Sequence, residues 1–142
     1  MNKACPIVLR HKNNTLELLV FKHPHKGIQL IKGGIKKGES LEMACVRELE
    51  EESGVKAQVV KRLGQWEAGF KNQIWGFSLM HYEGILADAW DFETKDDGGY
   101  IFSLFWQPLN APLDNNWNEV SKAAFSYIRQ ALSEQVDTHK MN

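Results

Sequence analysis

Apolar residues recur along the chain at spacings that predict both strands and helices. Apolar runs at residues 6–10 and 16–21 flank the polar segment 11–14, a pattern typical of a β-hairpin. A short apolar stretch at residues 28–31 leads into the glycine-rich segment 33–38, which we expect to be a shaped loop. Three later runs of aromatic and β-branched residues predict strands at residues 57–66, 73–82 and 100–106.

Two segments carry the signals of α-helices. Ser40 is a suitable N-cap, and the first helix is expected to run to about Ser53 and to stop at Gly54. Between residues 117 and 136 apolar side chains recur at helical spacing, which predicts a second helix. The segment 84–99 is expected to be irregular. This order of elements predicts a mixed-sheet α/β domain with a helix on each side.

The composition is that of a globular protein. Of the 142 residues 25% are charged, and no linker or low-complexity tract interrupts them, so we predict one domain over residues 1–142. No apolar run is long enough to span a bilayer, and the N-terminus shows no signal pattern. Two cysteines are too few for a disulfide scaffold. We therefore expect a cytoplasmic protein that does not associate with membranes.

The net charge of −1 conceals an uneven distribution. Residues 1–38 contain eight lysines and arginines and a single acid, whereas the rest of the chain contains nine bases and seventeen acids. A basic segment therefore leads directly into an acidic cluster, because six glutamates fall within residues 39–52, over the length of the first predicted helix. Adjoining solvated faces would account for such a pattern, and so would a site for an anionic ligand.

The first predicted helix collects carboxylates on one face. Glu48, Glu51 and Glu52 have the spacing i, i+3 and i+4, which on a helix confines them to an arc of about 100°. Arg47 is spaced to neutralise Glu51, and Glu50 points to the other side. A hard divalent cation would stabilise the remaining negative charge. Since no histidine or cysteine accompanies the cluster, Mg²⁺ or Mn²⁺ fits better than zinc.

The segment that contains these carboxylates resembles a known motif. Residues 33–55, GGIKKGESLEMACVRELEEESGV, are similar to the Nudix box, which reads glycine, five residues, glutamate, seven residues, Arg-Glu, an aliphatic residue, any residue, Glu-Glu, any residue, glycine and an aliphatic residue. Every specified position is matched, by Gly33, Glu39, Arg47, Glu48, Leu49, Glu51, Glu52, Gly54 and Val55. The resemblance implies an α/β Nudix fold, a mixed β-sheet sandwiched between helices (α/β/α), and a single Nudix hydrolase domain.

The resemblance also implies an activity. Nudix hydrolases use a divalent metal and a water molecule to cleave a nucleoside diphosphate linked to another group. By this resemblance Glu48, Glu51 and Glu52 are magnesium ligands, and one of them is the general base; which one stays open. Arg47 is expected to orient a glutamate, and Glu39 to hold the loop to the helix. Gly33, Gly34 and Gly38 are expected to shape that loop.

Further residues are expected around the box. Lysines of the basic segment, above all Lys22 and Lys32, are candidates for binding the substrate phosphates. Many relatives add a metal-binding acid from a loop before a late strand. Asp97 is the preferred candidate here, with Glu93 and Asp96 as alternatives. Four aromatic residues are candidate platforms for a nucleobase: Trp66, Phe70, Trp75 and Tyr100.

The sequence is compatible with three functions. The first is hydrolysis of a small nucleotide diphosphate derivative, which the complete set of carboxylates favours. The second is a non-catalytic nucleotide-binding Nudix module, and the third is an RNA 5′-end pyrophosphohydrolase. A pI near 6.5 disfavours long nucleic acid as the substrate. A homodimeric assembly stays open as well.

Overall fold

The protein consists of two β-sheets and two helices in a computed structural model, which describes residues 1–95 and 98–140, with side chains up to residue 134. The elements, in chain order, are β1 (Lys3–Ile7), β2 (Leu9–Lys12), β3 (Thr15–His23), β4 (Gly27–Leu30), β5 (Gly33–Gly34), α1 (Leu41–Ser53), β6 (Gln58–Glu67), β7 (Ile74–His81), β8 (Ala89–Glu93), β9 (Ile101–Pro108) and α2 (Glu119–Lys140). The predicted α/β class is confirmed, because mixed strands and two helices make up the fold.

The strands are divided between two sheets. One sheet has the order β5-β1-β7-β6, in which β1 and β7 are parallel and the other pairs antiparallel. The other has the order β2-β3-β9-β8, with β4 added to β3, and all its pairs are antiparallel.

The chain passes from one sheet to the other at Val8. The apolar run at residues 6–10 predicts one strand; this prediction is wrong, because β1 ends at Ile7 and β2 begins at Leu9. The Val8 carbonyl accepts a hydrogen bond from the Leu19 amide at 2.9 Å, which ties the crossing to β3. Ile7 and Val8 are both buried, as expected of a crossing between two packed layers.

Two short strands were not predicted. Residues 33–34 form β5, which pairs with Lys3 and Ala4 of β1 and so brings the glycine-rich loop against the first strand. The segment expected to be irregular contains β8, which pairs with β9 at the edge of its sheet. Its residues alternate between exposed and half-buried, and this weak edge-strand signal was missed.

Helix α1 begins and ends as predicted. The Ser40 hydroxyl accepts a hydrogen bond from the Met43 amide at 3.1 Å, and Gly54 ends the helix in the left-handed conformation with φ 79°. The apolar side of α1 packs against β1 and β7. Helix α2 packs against β4 and β6, within a second apolar cluster. The carboxylate end of α1 therefore lies beside β5 and the start of β1.

Candidate functional site

A single guanidinium group connects the loop to the carboxylates of α1. Arg47 binds Glu39 with two hydrogen bonds of 2.7 Å, from Nε to Oε2 and from Nη2 to Oε1. Its Nη2 also donates to the Gly34 carbonyl at 2.8 Å. Its Nη1 donates to Glu48 Oε1 at 2.6 Å and to Glu51 Oε2 at 3.1 Å, which is the i, i+4 contact predicted from the spacing. One arginine thus fixes the loop and two carboxylates at once.

The electrostatics follow from these contacts. Hydrogen bonding to Arg47, and then to the Lys36 amide, lowers the pKa of Glu39 to about 2. The same contact with Glu39 raises the pKa of Arg47. Both groups are therefore ionised at neutral pH, and the loop is held by a bidentate ion pair whose side chains are 11% and 19% exposed.

Glu48 and Glu52 lie on the side of α1 that faces β5. Glu48 is buried, with 8% of its surface exposed, and its carboxyl group packs directly against Gly33. A Cβ on Gly33 would lie 2.0 Å from Glu48 Cδ, so this position has no room for a side chain. Glu52 Oε1 accepts a hydrogen bond from the Lys32 amide at 3.0 Å. The backbone around β5 therefore positions both carboxylates.

These groups form one wall of a cleft of about 740 Å³. Arg47, Glu48, Glu51 and Glu52 all line it. So do four lysines, three of which come from outside the motif: Lys3, Lys26, Lys32 and Lys36. A cleft with carboxylates and several cations is suited to a substrate that combines metal-binding phosphates with a high negative charge.

The two predicted phosphate lysines lie in different surroundings. Lys32 lines the cleft, and its ammonium lies 5.4 Å from the centre of the Trp75 ring. Burial lowers the pKa of Lys32, and the nearby Glu52 carboxylate opposes that effect. Lys22 is exposed and does not line the cleft, because it alternates along β3 with Phe21 and His23, which do.

The predicted nucleobase platforms do not line this cleft. Trp75 is fully buried beneath Lys32, and Trp66, Phe70 and Tyr100 are also absent from the cleft lining. Three other rings line it: Phe21, His23 and Phe102. Phe21 and Phe102 stack with centroids 4.1 Å apart across the β3–β9 pair. This pairing of distant strands was the missing information, since both rings have ordinary core positions in the sequence.

The loop glycines have different requirements. Gly33 is needed for the close approach of Glu48. Gly38 has open space around it, but its φ of +80° lies in the left-handed region, which glycine adopts without strain. Gly34 contributes its carbonyl to Arg47, and a Cβ there would meet nothing nearer than Lys3 Nζ at 4.0 Å.

The acid expected outside the motif stays a prediction. Asp97 and its alternative Asp96 lie outside the described residues. Glu93 ends β8 with an exposed side chain and does not line the carboxylate cleft.

Comparison with known proteins identifies the family. A family model described as the NUDIX domain matches residues 3–128, which is most of the chain. The chain belongs to the Nudix family. Its motif at residues 33–55 is therefore the Nudix box, and the predicted Nudix fold is confirmed.

Individual relatives agree with this assignment. Nudix hydrolase 4 of Arabidopsis thaliana is 42% identical over 78 residues, covering 54% of this chain and 36% of the relative. A protein of Pasteurella multocida (strain Pm70) named NAD-capped RNA hydrolase NudC is 30% identical over 112 residues, covering 77% of this chain and 40% of the relative. The chain thus spans about two fifths of the length of the curated relatives it matches.

A solved structure shares the fold. A MutT/nudix family protein from Enterococcus faecalis superposes with a TM-score of 0.60 at 15% identity, over 95% of this chain and 61% of that chain. Within the described part of the Nudix chain, no helix is long and apolar enough to cross a membrane.

The Nudix-box carboxylates suit a hard cation by their chemistry. Among residues 1–95 and 98–134, no three His, Cys, Asp or Glu side chains converge as the ligands of a metal ion. Arg47 and the Lys32 amide instead bind the glutamates one by one. A carboxylate has about four lone-pair directions, so accepting one such bond leaves it able to ligate a cation. The oxygen-only donor set and the tight seat of Glu48 on Gly33 fit Mg²⁺ or Mn²⁺.

A second groove, of about 950 Å³, lies on the other side of α1. Arg47 and Glu51 border both this groove and the Nudix-box cleft. The walls of the groove are mainly apolar and consist of Met43, Val46, Ala57, Val59 and Phe92. Glutamates at its rim include Glu42, whose pKa is lowered to about 2 by Arg62. This groove offers no comparable group of lysines, since Lys95 is the one lysine that lines it among the described residues.

Proposed function

We propose that the chain is a divalent-metal-dependent pyrophosphohydrolase, which cleaves the diphosphate linkage of a nucleoside diphosphate joined to a second group. The observation that carries this proposal is the shared cleft of the Nudix-box carboxylates and the lysines. Glu48, Glu51 and Glu52 supply oxygen ligands for the cation, for which Mg²⁺ is the preferred ion. Lys32 faces the same space and supplies a positive charge for the phosphates.

The chemistry divides between the cation and the side chains. A divalent cation in such a site neutralises phosphate charge and lowers the pKa of a water molecule. One of the three carboxylates takes the proton of the water that attacks phosphorus. Lys32 offsets part of the negative charge of the bound phosphates.

The remaining residues of the motif hold this arrangement in position. Arg47 orients Glu48 and Glu51 through Nη1 and is itself held by the bidentate contact with Glu39. Gly33 lets the Glu48 carboxyl lie against the backbone. We propose Asp97 as an additional ligand from its position in the sequence before β9.

A screen of nucleotide diphosphate compounds tests this function. We expect Mg²⁺-dependent hydrolysis of at least one of ADP-ribose, NAD⁺, a nucleotide sugar, ATP and a dinucleoside polyphosphate. Glu51→Gln is expected to lower kcat at least about a hundredfold. The absence of turnover with every compound, or full activity of the variant, would instead support a non-catalytic binding module.

A second candidate is the hydrolysis of the NAD cap of RNA. The observation in its favour is the name of the Pasteurella multocida relative, NAD-capped RNA hydrolase NudC, which matches 77% of this chain. An RNA oligonucleotide with a 5′ NAD cap, assayed beside free NAD⁺, separates the two candidates. Preference for the capped RNA, as a higher kcat/KM, would favour the second.

A further inference from the structure

A lysine outside the Nudix box lies at the cleft beside its glycines. Lys3 is the first residue of β1, where it pairs with Gly34 of β5 on one side and with Trp75 of β7 on the other. Its Nζ lies 4.0 Å from the position that a Cβ on Gly34 would occupy. The ammonium group of Lys3 is therefore directed toward the glycine loop that carries the box.

Lys32 approaches the same place from the other side of the loop. Its Nζ lies over the Trp75 ring, and Trp75 is the register partner of Lys3 in the sheet. Register partners in adjacent strands project to the same face, so the two ammonium groups are neighbours. In agreement, the Lys3 charge adds to the effect of burial in lowering the pKa of Lys32.

The two lysines differ in whether the protein places carboxylates near their positive charges. Lys32 has the Glu52 and Glu48 carboxylates close enough to oppose the loss of its charge. Within the described residues no ion pair involves Lys3, although its side chain is half-buried. Two neighbouring ammonium groups repel each other, and an anion between them removes that repulsion.

The ligand that best matches this pair is a phosphate monoester. A terminal phosphate carries about −1.5 to −2 charges at neutral pH and three acceptor oxygens, more than each phosphate of a diphosphate diester. Two lysines supply point charges and several donors without a fixed bidentate geometry, which suits a phosphate that can rotate. The cleft has space beyond a single phosphate, with a volume of about 740 Å³.

We propose that Lys3 and Lys32 form a second phosphate subsite, which binds a terminal phosphate of the substrate beyond the linkage that is cleaved. This inference rests on the proposed function and narrows its substrate class to nucleotides with a terminal phosphate. Nucleoside triphosphates have such a group, and so does a 5′-triphosphorylated RNA. ADP-ribose and NAD⁺ have none beyond their linkage.

Binding without turnover tests the subsite. Isothermal titration calorimetry in EDTA compares ATP with ADP-ribose, for the wild-type protein and for Lys3→Met. We expect the wild type to bind ATP more tightly, and Lys3→Met to weaken ATP binding about tenfold while ADP-ribose changes less than about twofold. Lys56→Met is the matched control, because Lys56 is exposed and lies outside the cleft, and it should change neither.

A charge-conserving variant guards against a structural effect. Lys3→Arg keeps the positive charge and should retain ATP binding within about threefold. If the lysine had only a structural role, Lys3→Met would weaken the binding of ATP and ADP-ribose alike. Equal losses for both ligands in Lys3→Met, or no loss, would overturn the subsite. So would failure of the wild type to bind either ATP or a 5′-triphosphorylated oligonucleotide more tightly than ADP-ribose.

Two further measurements distinguish ATP from an RNA end as the source of the phosphate, and the subsite from the proposed hydrolysis. A 5′-triphosphorylated oligonucleotide, titrated beside ATP, assigns the subsite to RNA ends if it alone depends on Lys3. Lys3-dependent binding without hydrolysis of any compound in Mg²⁺ would refute the proposed function and retain the subsite. Hydrolysis without Lys3-dependent selectivity would do the reverse.

Discussion

The two sides of α1 differ in charge although Arg47 and Glu51 border both. The Nudix-box cleft combines carboxylates with four lysines that come from β1, the loops and the glycine segment. The groove on the other side is mainly apolar, with glutamates at its rim. Carboxylates alone therefore do not distinguish the two sides of the helix. The difference lies in what the rest of the fold brings opposite them, which is a group of cations on one side and apolar side chains on the other.

The largest expected effect separates two neighbouring glutamates. Glu52 faces the cleft, whereas Glu50 is exposed and lines the groove. Glu52→Gln is expected to lower Mg²⁺-dependent kcat at least about a hundredfold, because the amide loses the negative charge needed for a cation while it can still accept the Lys32 hydrogen bond. Glu50→Gln removes the same charge from the helix and should leave kcat within about twofold. Steady-state kinetics on the compound found in the screen measures both.

Equal losses in these two variants would contradict the comparison. They would mean that the total negative charge of α1, rather than the location of the carboxylates, supports activity. Far-UV circular dichroism of both proteins excludes loss of the helix as the cause.

The next effect distinguishes two adjacent glycines. Gly33→Ala introduces a Cβ 2.0 Å from the Glu48 Cδ, so the Glu48 carboxylate must move. The displaced atoms end a flexible side chain, and we therefore expect a folded protein with kcat reduced by roughly tenfold to a hundredfold. Gly34→Ala meets nothing nearer than 4.0 Å and should stay within about twofold of the wild type. Similar activity of the two variants would show that the seat of Glu48 on Gly33 is not needed.

The ion pairs of Glu39 and Glu42 differ in exposure, and their dependence on salt and pH is expected to show this difference. Arg47 holds the pKa of Glu39 at about 2, against an ordinary value of 4.5, and both side chains are less than one fifth exposed. The stability from ionised Glu39 is therefore fully present above pH 4.5 and is lost as the pH falls through about 2. In urea denaturation, the destabilisation by Glu39→Gln should shrink over that interval.

Glu42→Gln is the matched variant, because Glu42 lines the same groove as Glu39 and is also paired with an arginine. Arg62 also lowers the pKa of Glu42 to about 2, but these side chains are 40% and 53% exposed. We expect a smaller change in the free energy of unfolding than for Glu39→Gln, and one that 1 M salt largely removes, since the Debye length there is about 3 Å. An equal effect of the two variants at high salt would show that salt screens the Arg47–Glu39 pair as strongly as the more exposed Arg62–Glu42 pair.

The sequence was most informative where interactions are local. Helix α1, its Ser40 cap and its Gly54 end follow from short-range signals, and the Arg47–Glu51 contact follows from helical spacing. The Nudix box is equally local, because it spans one loop and one helix. The Nudix fold could then be inferred by resemblance.

Features that depend on strand pairing could not be read from the sequence. Lys3 is thirty residues from the box and reaches the cleft only because β1 pairs with the two-residue strand β5. Phe21 and Phe102 meet because β3 pairs with β9. Lys22 is the opposite case, a residue that the sequence predicts in the site and the fold places outside it. Its charge and its nearness to the box indicate the site, but along β3 its side chain points away from the cleft that Phe21 and His23 line.

The smallest expected effect tests whether the bound substrate contacts the groove. Met43 is 60% exposed and contributes to the groove wall without reaching the Nudix-box cleft. Met43→Gln keeps the side-chain length and helix propensity, so we expect the free energy of unfolding to change by less than about 0.5 kcal/mol and both kcat and KM to stay within about twofold. A severalfold rise in KM with unchanged kcat would show that the substrate extends across Arg47 and Glu51 into the groove. The two sides of α1 would then be parts of one binding site, and the contrast between them would describe the polar and apolar ends of a single ligand.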